Sequence, residues 1–300
     1  MTLINEFIKR PVYYLILLYG KMIPKTIKWD QKYLKLKYRY LLKENIDFDN
    51  PTTFNEKLQW LKIHDRKDIY TTMVDKYEAK KYVASIIGEE YIIPTLGIYN
   101  TFDEIDFSKL PNQFVIKCTH DSEGLVIVKN KKELDISKTK KIIERALKYN
   151  FYYIGREWAY KNVKPRIIVE KYMEDKNETS MRDYKFFCFD GKPKLMYLSE
   201  GLENHNTACM SFYDMEFKLS DCERKDYKKL SYMPDKPKTF DLMKKYAGIL
   251  SKDIPHLRVD FYEINGKLYF GELTFFTCSG MVPFKDEKWN KILGSYIKLN

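Results

Sequence analysis

The stretch "RVDFYEINGKLYFGELTF", residues 258–275, permits few local structures. Two arms rich in aromatic and β-branched residues flank Asn265-Gly266, a pattern that predicts a β-hairpin. The hairpin carries two carboxylates, Asp260 and Glu272, and the loop decides where they point. A two-residue type I′ turn at Asn265-Gly266 sends them to opposite faces of the sheet. A three-residue loop, Ile264-Asn265-Gly266 with Gly266 left-handed, instead puts Arg258, Asp260, Glu272 and Thr274 on one face. Glu272 then lies opposite Arg258 and diagonal to Asp260, within roughly 5–8 Å. Carboxylates that close repel unless positive charge lies between them. A hard divalent cation, Mg²⁺ foremost, answers that need, since it takes one or two carboxylates plus substrate phosphates. A cross-strand Arg258–Glu272 pair on a solvated face is the alternative.

Composition narrows the setting. Three hundred residues with 44% hydrophobic content suffice for a large core in one or two domains. Five cysteines, an odd count without a C-x-x-C, suit a reducing compartment, and the four histidines lack metal-site spacing, which argues against zinc. The net charge of +11 implies anionic company: nucleotides, acidic glycans or a membrane surface. The lysines run along the whole chain and alternate with acids, which argues against nucleic acid. The apolar run "VYYLILLY", residues 12–19, is far shorter than the roughly 20 residues of a membrane span, and no cleavage site suggests a signal peptide. Two readings remain: a buried helix, or an interfacial segment in which residues 10–25, with Arg10, Lys21 and Lys25, touch anionic lipid. The expected location is the cytoplasm, at the inner face of the membrane in the second reading. Oligomeric state is not encoded in any visible pattern.

The first hundred residues read as helical. "TFNE" at Thr53–Glu56 has capping-box spacing, and "TMVD" at Thr72–Asp75 opens a helix carrying Ala79, Val83, Ile86 and Ile87 that stops at Gly88. Beyond Pro94 short strands alternate with turns: 113–118, 125–130, 166–173, 183–189, 192–198, then the closing hairpin. Helical patterns lie at 138–149 and 239–250. The expected class is α+β with mainly antiparallel sheets. No G-x-G-x-x-G or Walker lysine motif is present, so a nucleotide site must be built another way.

Three further residue groups suggest how. Lys117 sits in the buried-looking strand "QFVIKC", where an ammonium is costly unless it meets an anion. The polar segment "THDSEG" after it can act as a phosphate-binding turn, although snorkelling at a strand end explains Lys117 equally. Glu170 ends the apolar strand "IIVEKYM", and the backbone of Lys171, Tyr172 and Met173 can face an adenine edge. Asp183 and Lys185 lie two apart on a strand, hence on one face, suited to a ribose hydroxyl and a phosphate.

The order of these groups resembles the ATP-grasp superfamily. The segments "FNEKLQWLKIHDR", "DKYEAKKYV", "LPNQFVIKCTHDSEG", "GREWAYKNVKPRIIVEKYM", "DYKFFCFDGKPK" and "RVDFYEINGKLYFGELTF" are similar, more closely, to the teichuronopeptide-biosynthesis (TupA-like) ATP-grasp family, from about Phe54 to the C-terminus. The resemblance implies a helical region over 1–74 and an ATP-grasp domain over 75–300, with α+β subdomains at about 95–173 and 174–300. It implies ATP and Mg²⁺ as cofactors. Lys76 and Lys117 would contact the nucleotide phosphates, and Glu170 with the backbone of Lys171 and Met173 would read adenine. Asp183 would face the ribose and Lys185 the phosphates, as a basic residue does in the D-x-R form of the motif. Asp260 and Glu272 would hold Mg²⁺, with Arg258 beside the transferred phosphoryl group. Two places depart from the family pattern. Thr274 stands where many ATP-grasp ligases have asparagine, and the phosphate loop has Gly124 as its one glycine but offers His120 and Asp121, which would either contact acceptor or phosphate or form a turn stabilised by Asp121.

The resemblance implies a carboxylate–amine ligase of a surface-polysaccharide pathway, capsular or teichuronic in type. Its substrates would be an acidic glycan, a sugar nucleotide or an amino acid. In "YYIGREWAYKNVKPR", residues 152–166, Arg156 and Arg166 would fork the acceptor carboxylate, and Trp158 would stack on a sugar or serve as core. The rivals are an ATP-grasp kinase, a scaffold that only binds ATP, and a glycosyltransferase. The last would need a D-x-D metal site, for which "DFD" at Asp47–Asp49 is the local match.

Overall fold

The computed structural model describes residues 10–121, 124–175, 181–201 and 208–299. Its centre is a pair of antiparallel sheets. The smaller has the order β1-β4-β2-β3, built from β1 (Thr95–Tyr99), β2 (Phe114–Cys118), β3 (Leu125–Val128) and β4 (Ile167–Lys171). The larger has the order β7-β6-β5-β8-β9, built from β5 (Asp183–Phe189), β6 (Lys192–Glu200), β7 (Cys209–Tyr213), β8 (Leu257–Ile264) and β9 (Lys267–Thr274). This is the expected α+β class. Strands β1 and β7 lie in stretches the sequence reading left without structure, and both are sheet edges.

Among the described residues five helices precede the sheets: α1 (Pro11–Met22), α2 (Ile27–Leu42), α3 (Phe54–His64), α4 (Ile69–Val74) and α5 (Glu78–Ile87). Helix α3 starts with the expected capping box, in which the Glu56 N–H donates to Thr53 Oγ1 at 3.4 Å and the Thr53 N–H donates to Glu56 Oε2 at 3.0 Å. The start of α5 differs from expectation. Thr72 lies inside α4, and Asp75 makes the turn instead, its Oδ1 accepting from the N–H groups of Tyr77 and Glu78 at 2.8 and 3.2 Å. A carboxylate nearer the first turn satisfies the free N–H groups better than a hydroxyl one turn away.

The helical region is divided between two cores. Helices α1 and α2 pack around Ile16, Tyr33, Leu34 and Tyr38. Phe54, Leu58 and Leu61 of α3, and Tyr70, Met73 and Val74 of α4, instead share the large-sheet core with Phe186, Phe187, Val259 and Leu273. The chain before residue 75 therefore supports both the terminal helices and the large sheet. Helix α6 (Ile136–Leu147) covers the small sheet, the short α7 (Tyr152–Gly155) leads into β4, α8 (Phe240–Leu250) backs the large sheet, and α9 (Lys288–Tyr296) packs on α3.

Candidate active site

The hairpin resolves its own ambiguity in an unforeseen way. The loop is the two-residue form: Ile264 pairs with Lys267, and Asn265 and Gly266 have φ of 51° and 73°. That turn alone would part the acids. A β-bulge between Val259 and Phe261 then shifts the register, so that Arg258 pairs with Thr274 and Val259 with Leu273. One extra residue on β9 reverses the facing, and Asp260 and Glu272 return to one side. Gly271 makes this possible, because a Cβ there would lie 3.0 Å from the Asp260 carbonyl oxygen. An isolated glycine within a strand was the available signal for this bulge.

Register brings the second strand in. Lys185 lies directly across from Asp260, and Asp183 two residues along β5 shares its face. The result is a buried ionic cluster. The Arg258 guanidinium forks onto Asp260, Nε to Oδ1 and Nη2 to Oδ2, both at 2.7 Å, and Nη2 also reaches Glu272 Oε1 at 2.5 Å. Lys185 Nζ donates to Asp260 Oδ2 at 2.8 Å and to Asp183 Oδ1 at 3.1 Å. Thr274 Oγ1 donates to Glu272 Oε1 at 3.0 Å. The positive charge between the two acids is thus Arg258 itself. Burial pushes the Asp260 carboxyl up, against the opposing pull of Arg258 and Lys185. Burial acts the same way on Glu272, but Arg258, Lys185 and Lys76 outweigh it and hold its carboxyl at about 2. Glu272 keeps 43% of its side chain exposed, so the open side of the cluster is acidic.

The residues here suit Mg²⁺ chemically. Asp260, Glu272 and the Thr274 hydroxyl offer hard oxygen donors on one face; Asp183, the third acid of the cluster, is tied to Lys185, and among the described residues no group of three or more acids, histidines or cysteines is placed to hold a metal ion. The remaining ligands would have to come from phosphates and water, as is usual for Mg²⁺.

The small sheet carries a cluster of opposite balance. Lys117 on β2 and Glu170 on β4 are diagonal neighbours on one face, joined at 2.7 Å. Lys80 from α5 takes the other carboxylate oxygen at 2.6 Å. Sequence reasoning missed Lys80, although it lies four residues after Lys76. Against the cost of burial, Lys117 and Lys80 hold the Glu170 carboxyl at about 2. The Lys76 main-chain N–H donates to the Thr119 carbonyl at 2.9 Å and its ammonium donates to the Asp121 carbonyl, fastening the start of α5 to the connection that follows β2. Burial pushes the Lys76 ammonium down, opposed by Glu272 across the cleft. A small cavity beside β9 is lined by Met73, Lys76, Ala79, Tyr160, Gly271 and Glu272, so that Lys76 and Glu272 border the same space.

Two sequence expectations change here, those of Arg156 and Arg166 as the acceptor fork. Arg156 is buried with the α1–α2 core, its Nε 2.8 Å from Asp30 and its Nη1 donating to the Tyr153 carbonyl at 2.8 Å, so it cannot fork an acceptor. Arg166 is taken by Asp75 and Glu78 at 2.8 and 3.0 Å. His120 is buried with Nε2 3.2 Å from the Ala146 carbonyl, and Asp121 Oδ1 accepts from the Gly124 N–H at 2.8 Å, which makes this pair turn-forming; Ser122 and Glu123 lie outside the described residues. The Lys171 N–H donates to the Pro94 carbonyl at 3.0 Å, which takes that N–H out of the expected adenine contact. The D-x-D match is likewise a turn, with Asp47 Oδ1 accepting from the N–H groups of Asp49 and Asn50.

Beyond β9 the chain makes a tight turn with positive φ at Cys278, Ser279 and Gly280 (50°, 57° and 60°). Lys62 Nζ donates to the Ser279 carbonyl and hydroxyl, both at 2.8 Å, and Gln59 Nε2 donates to the Ser279 and Gly280 carbonyls at 2.9 and 3.1 Å. Both α3 side chains are fully buried, and their hydrogen bonds hold a backbone shape that non-glycine residues rarely adopt.

Comparison with known proteins places this geometry. None of the curated proteins compared matches the chain. Among solved structures it is similar to D-alanine–D-alanine ligase from Bacillus anthracis complexed with ATP, at 16% identity and a TM-score of 0.41 over 68% of this chain and 55% of that one. It is also similar to D-alanine–D-alanine ligase from Helicobacter pylori, at 15% and 0.42 over 82% and 69%. A D-cycloserine synthetase gives 14% and 0.40 over 77% and 72%. These are loose likenesses, and the chain spans little more than half of the Bacillus anthracis ligase. The family profile described as TupA-like ATPgrasp, in contrast, matches residues 56–298. By that match, which takes in both ionic clusters and the helix behind them, the chain belongs to the TupA-like ATP-grasp family.

Proposed function

We propose that the chain is an ATP- and Mg²⁺-dependent carboxylate–amine ligase acting in modification or synthesis of a cell-surface polysaccharide. The γ-phosphoryl group of ATP passes to a carboxylate oxygen, giving an acyl phosphate and ADP. An amine then attacks the acyl carbon and phosphate leaves. The observation that carries this reading is the pairing of a lysine-rich cluster on one sheet with an acid-rich cluster on the other, within electrostatic reach of each other through Lys76 and Glu272. Phosphoryl transfer needs positioning and charge neutralisation more than a nucleophilic side chain.

The residues divide the work accordingly. Lys76 and Lys117 attract the phosphate chain, and Glu170, fixed between Lys80 and Lys117, and the backbone of Tyr172 and Met173 present acceptors and donors to the base. Asp183 takes a ribose hydroxyl, and Lys185 steadies the phosphates. Mg²⁺, when bound through Asp260, Glu272 and Thr274, supplies charge neutralisation at the phosphate oxygens. Arg258 exchanges its contact with Glu272 for the transferred group while Asp260 keeps the fork in place. The carboxylate substrate is a hexuronic acid or an amino acid, and the basic net charge suits an acidic glycan or sugar nucleotide.

The test is hydroxylamine trapping. Purified protein with ATP, Mg²⁺ and a panel of hexuronic and amino acids should release ADP and form a hydroxamate with one class of carboxylate. ADP release with a phosphorylated hydroxyl product and no hydroxamate would make the protein a kinase. Turnover of UDP-sugars without ATP would make it a glycosyltransferase.

A further inference from the structure

Helix α1 departs from the usual arrangement in which a surface helix turns a polar face to water. Ile16 and Gly20 face the core, where Gly20 lies against the Tyr33 ring. On the opposite side Val12, Leu15, Leu18 and Met22 are 52, 57, 53 and 76% exposed. Their spacing of three, three and four places them in one stripe. The charges around the stripe have one sign. Residues 10–29 include Arg10, Lys21, Lys25 and Lys28 and no acid. The adjoining α2 adds exposed Lys32, Lys35 and Arg39, which with Lys28 recur at helical spacing. Its acid, Asp30, is buried and paired with Arg66 and Arg156. Half-buried Tyr13, Tyr14, Tyr19 and Trp29 flank the stripe, residue types that favour a membrane–water boundary.

We propose that the α1–α2 hairpin is a docking surface for an anionic lipid bilayer, lying in the interface plane with the Val12-Leu15-Leu18-Met22 stripe in the acyl boundary and the cations among headgroup phosphates. Twelve residues of helix are too short to cross, and among the described residues no helix is long and apolar enough to do so. A second copy of the chain fits the stripe less well, because face-to-face pairing would bring two sets of like charges together. The surface lies outside the ATP-grasp clusters and does not depend on the proposed reaction.

Vesicle flotation tests this. The full chain should float with vesicles of phosphatidylcholine and phosphatidylglycerol, much less with phosphatidylcholine alone, and less as salt rises. Leu15→Glu with Leu18→Glu should lower binding at least about tenfold while the ATP-induced thermal shift is kept. Lys28→Gln with Lys32→Gln and Lys35→Gln should weaken it in part. If the glutamate variant fails to fold, Leu15→Ser with Leu18→Ser replaces it. Absence of wild-type flotation, equal binding to neutral and anionic vesicles, or unchanged binding by the folded stripe variant would each overturn the proposal. A stripe-dependent dimer that ignores vesicles would also overturn it and assign the surface to a second copy.

Discussion

The two ionic clusters are built alike and charged oppositely. At the small sheet Lys117, together with Lys80 of α5 and Lys76 just before it, gathers around one acid, Glu170; on the large sheet Arg258 and Lys185 face three, Asp183, Asp260 and Glu272. In each, adjacent cations overcome burial and hold one glutamate at about 2. The surplus differs: cations remain on the small sheet, and acid remains on the large one. A metal–polyphosphate ligand presents both signs, so each cluster leaves unpaired the charge that one part of such a ligand needs.

The largest way to break this comparison is to neutralise the acidic surplus. Asp260→Asn with Glu272→Gln should lower Mg²⁺-dependent ATP turnover by on the order of 10³ in a steady-state assay, since preorganised charge at the reacting group is worth that much. Full activity would show that these acids do not serve the metal. On the small sheet, Glu170→Ala strands Lys80 and Lys117 and should cost about 3–5 kcal/mol, read by urea denaturation. A loss below about 1 kcal/mol would show that the lysines find solvent and that the cluster is not a buried unit.

A pH series sharpens the same point. The Glu170 carboxyl is held at about 2 against its usual 4.5. A depressed value adds stability that is complete above the unfolded value and is lost as pH falls through the folded one. Wild type should therefore lose about 3 kcal/mol from this residue between pH 4.5 and 2, and Glu170→Gln should lack that part of the acid limb. Parallel stability curves for the two proteins would contradict the assignment. The smallest effect is expected at Thr274. Thr274→Asn supplies an amide carbonyl and should tighten the Mg²⁺ dependence of ATP turnover by about two- to fivefold, a few tenths to 1 kcal/mol. A weaker Mg²⁺ dependence would show that the hydroxyl is needed where it bonds Glu272.

The sequence made some of this geometry legible and hid the rest for identifiable reasons. Strand alternation and the Asn265-Gly266 turn revealed the hairpin, because local chemistry sets both. The facing of Asp260 and Glu272 did not follow from the turn; it depends on the bulge at Gly271, where close backbone approach matters more than propensity. Lys117 was recognisable as a charge in an apolar strand. Lys80, its partner on Glu170, stands next to Lys81 in α5, and only tertiary packing distinguishes the buried lysine from the solvated one. Arg156 misled for the converse reason: an arginine beside aromatic residues suggests a substrate fork, but Asp30, more than a hundred residues earlier, claims it.

The most direct test of a two-sheet Mg²⁺–ATP site is a thermal melt with ATP in the presence and absence of Mg²⁺, on wild type, Lys117→Met and Asp260→Asn with Glu272→Gln. Ligand at about 100 times its dissociation constant should add roughly 2.7 kcal/mol, a shift of several degrees. ATP should stabilise wild type most with Mg²⁺, Lys117→Met should lose most of the shift, and the double variant should lose the part that Mg²⁺ contributes. A wild type that ignores ATP and Mg²⁺, or a double variant that keeps the full Mg²⁺-dependent shift, would contradict the account.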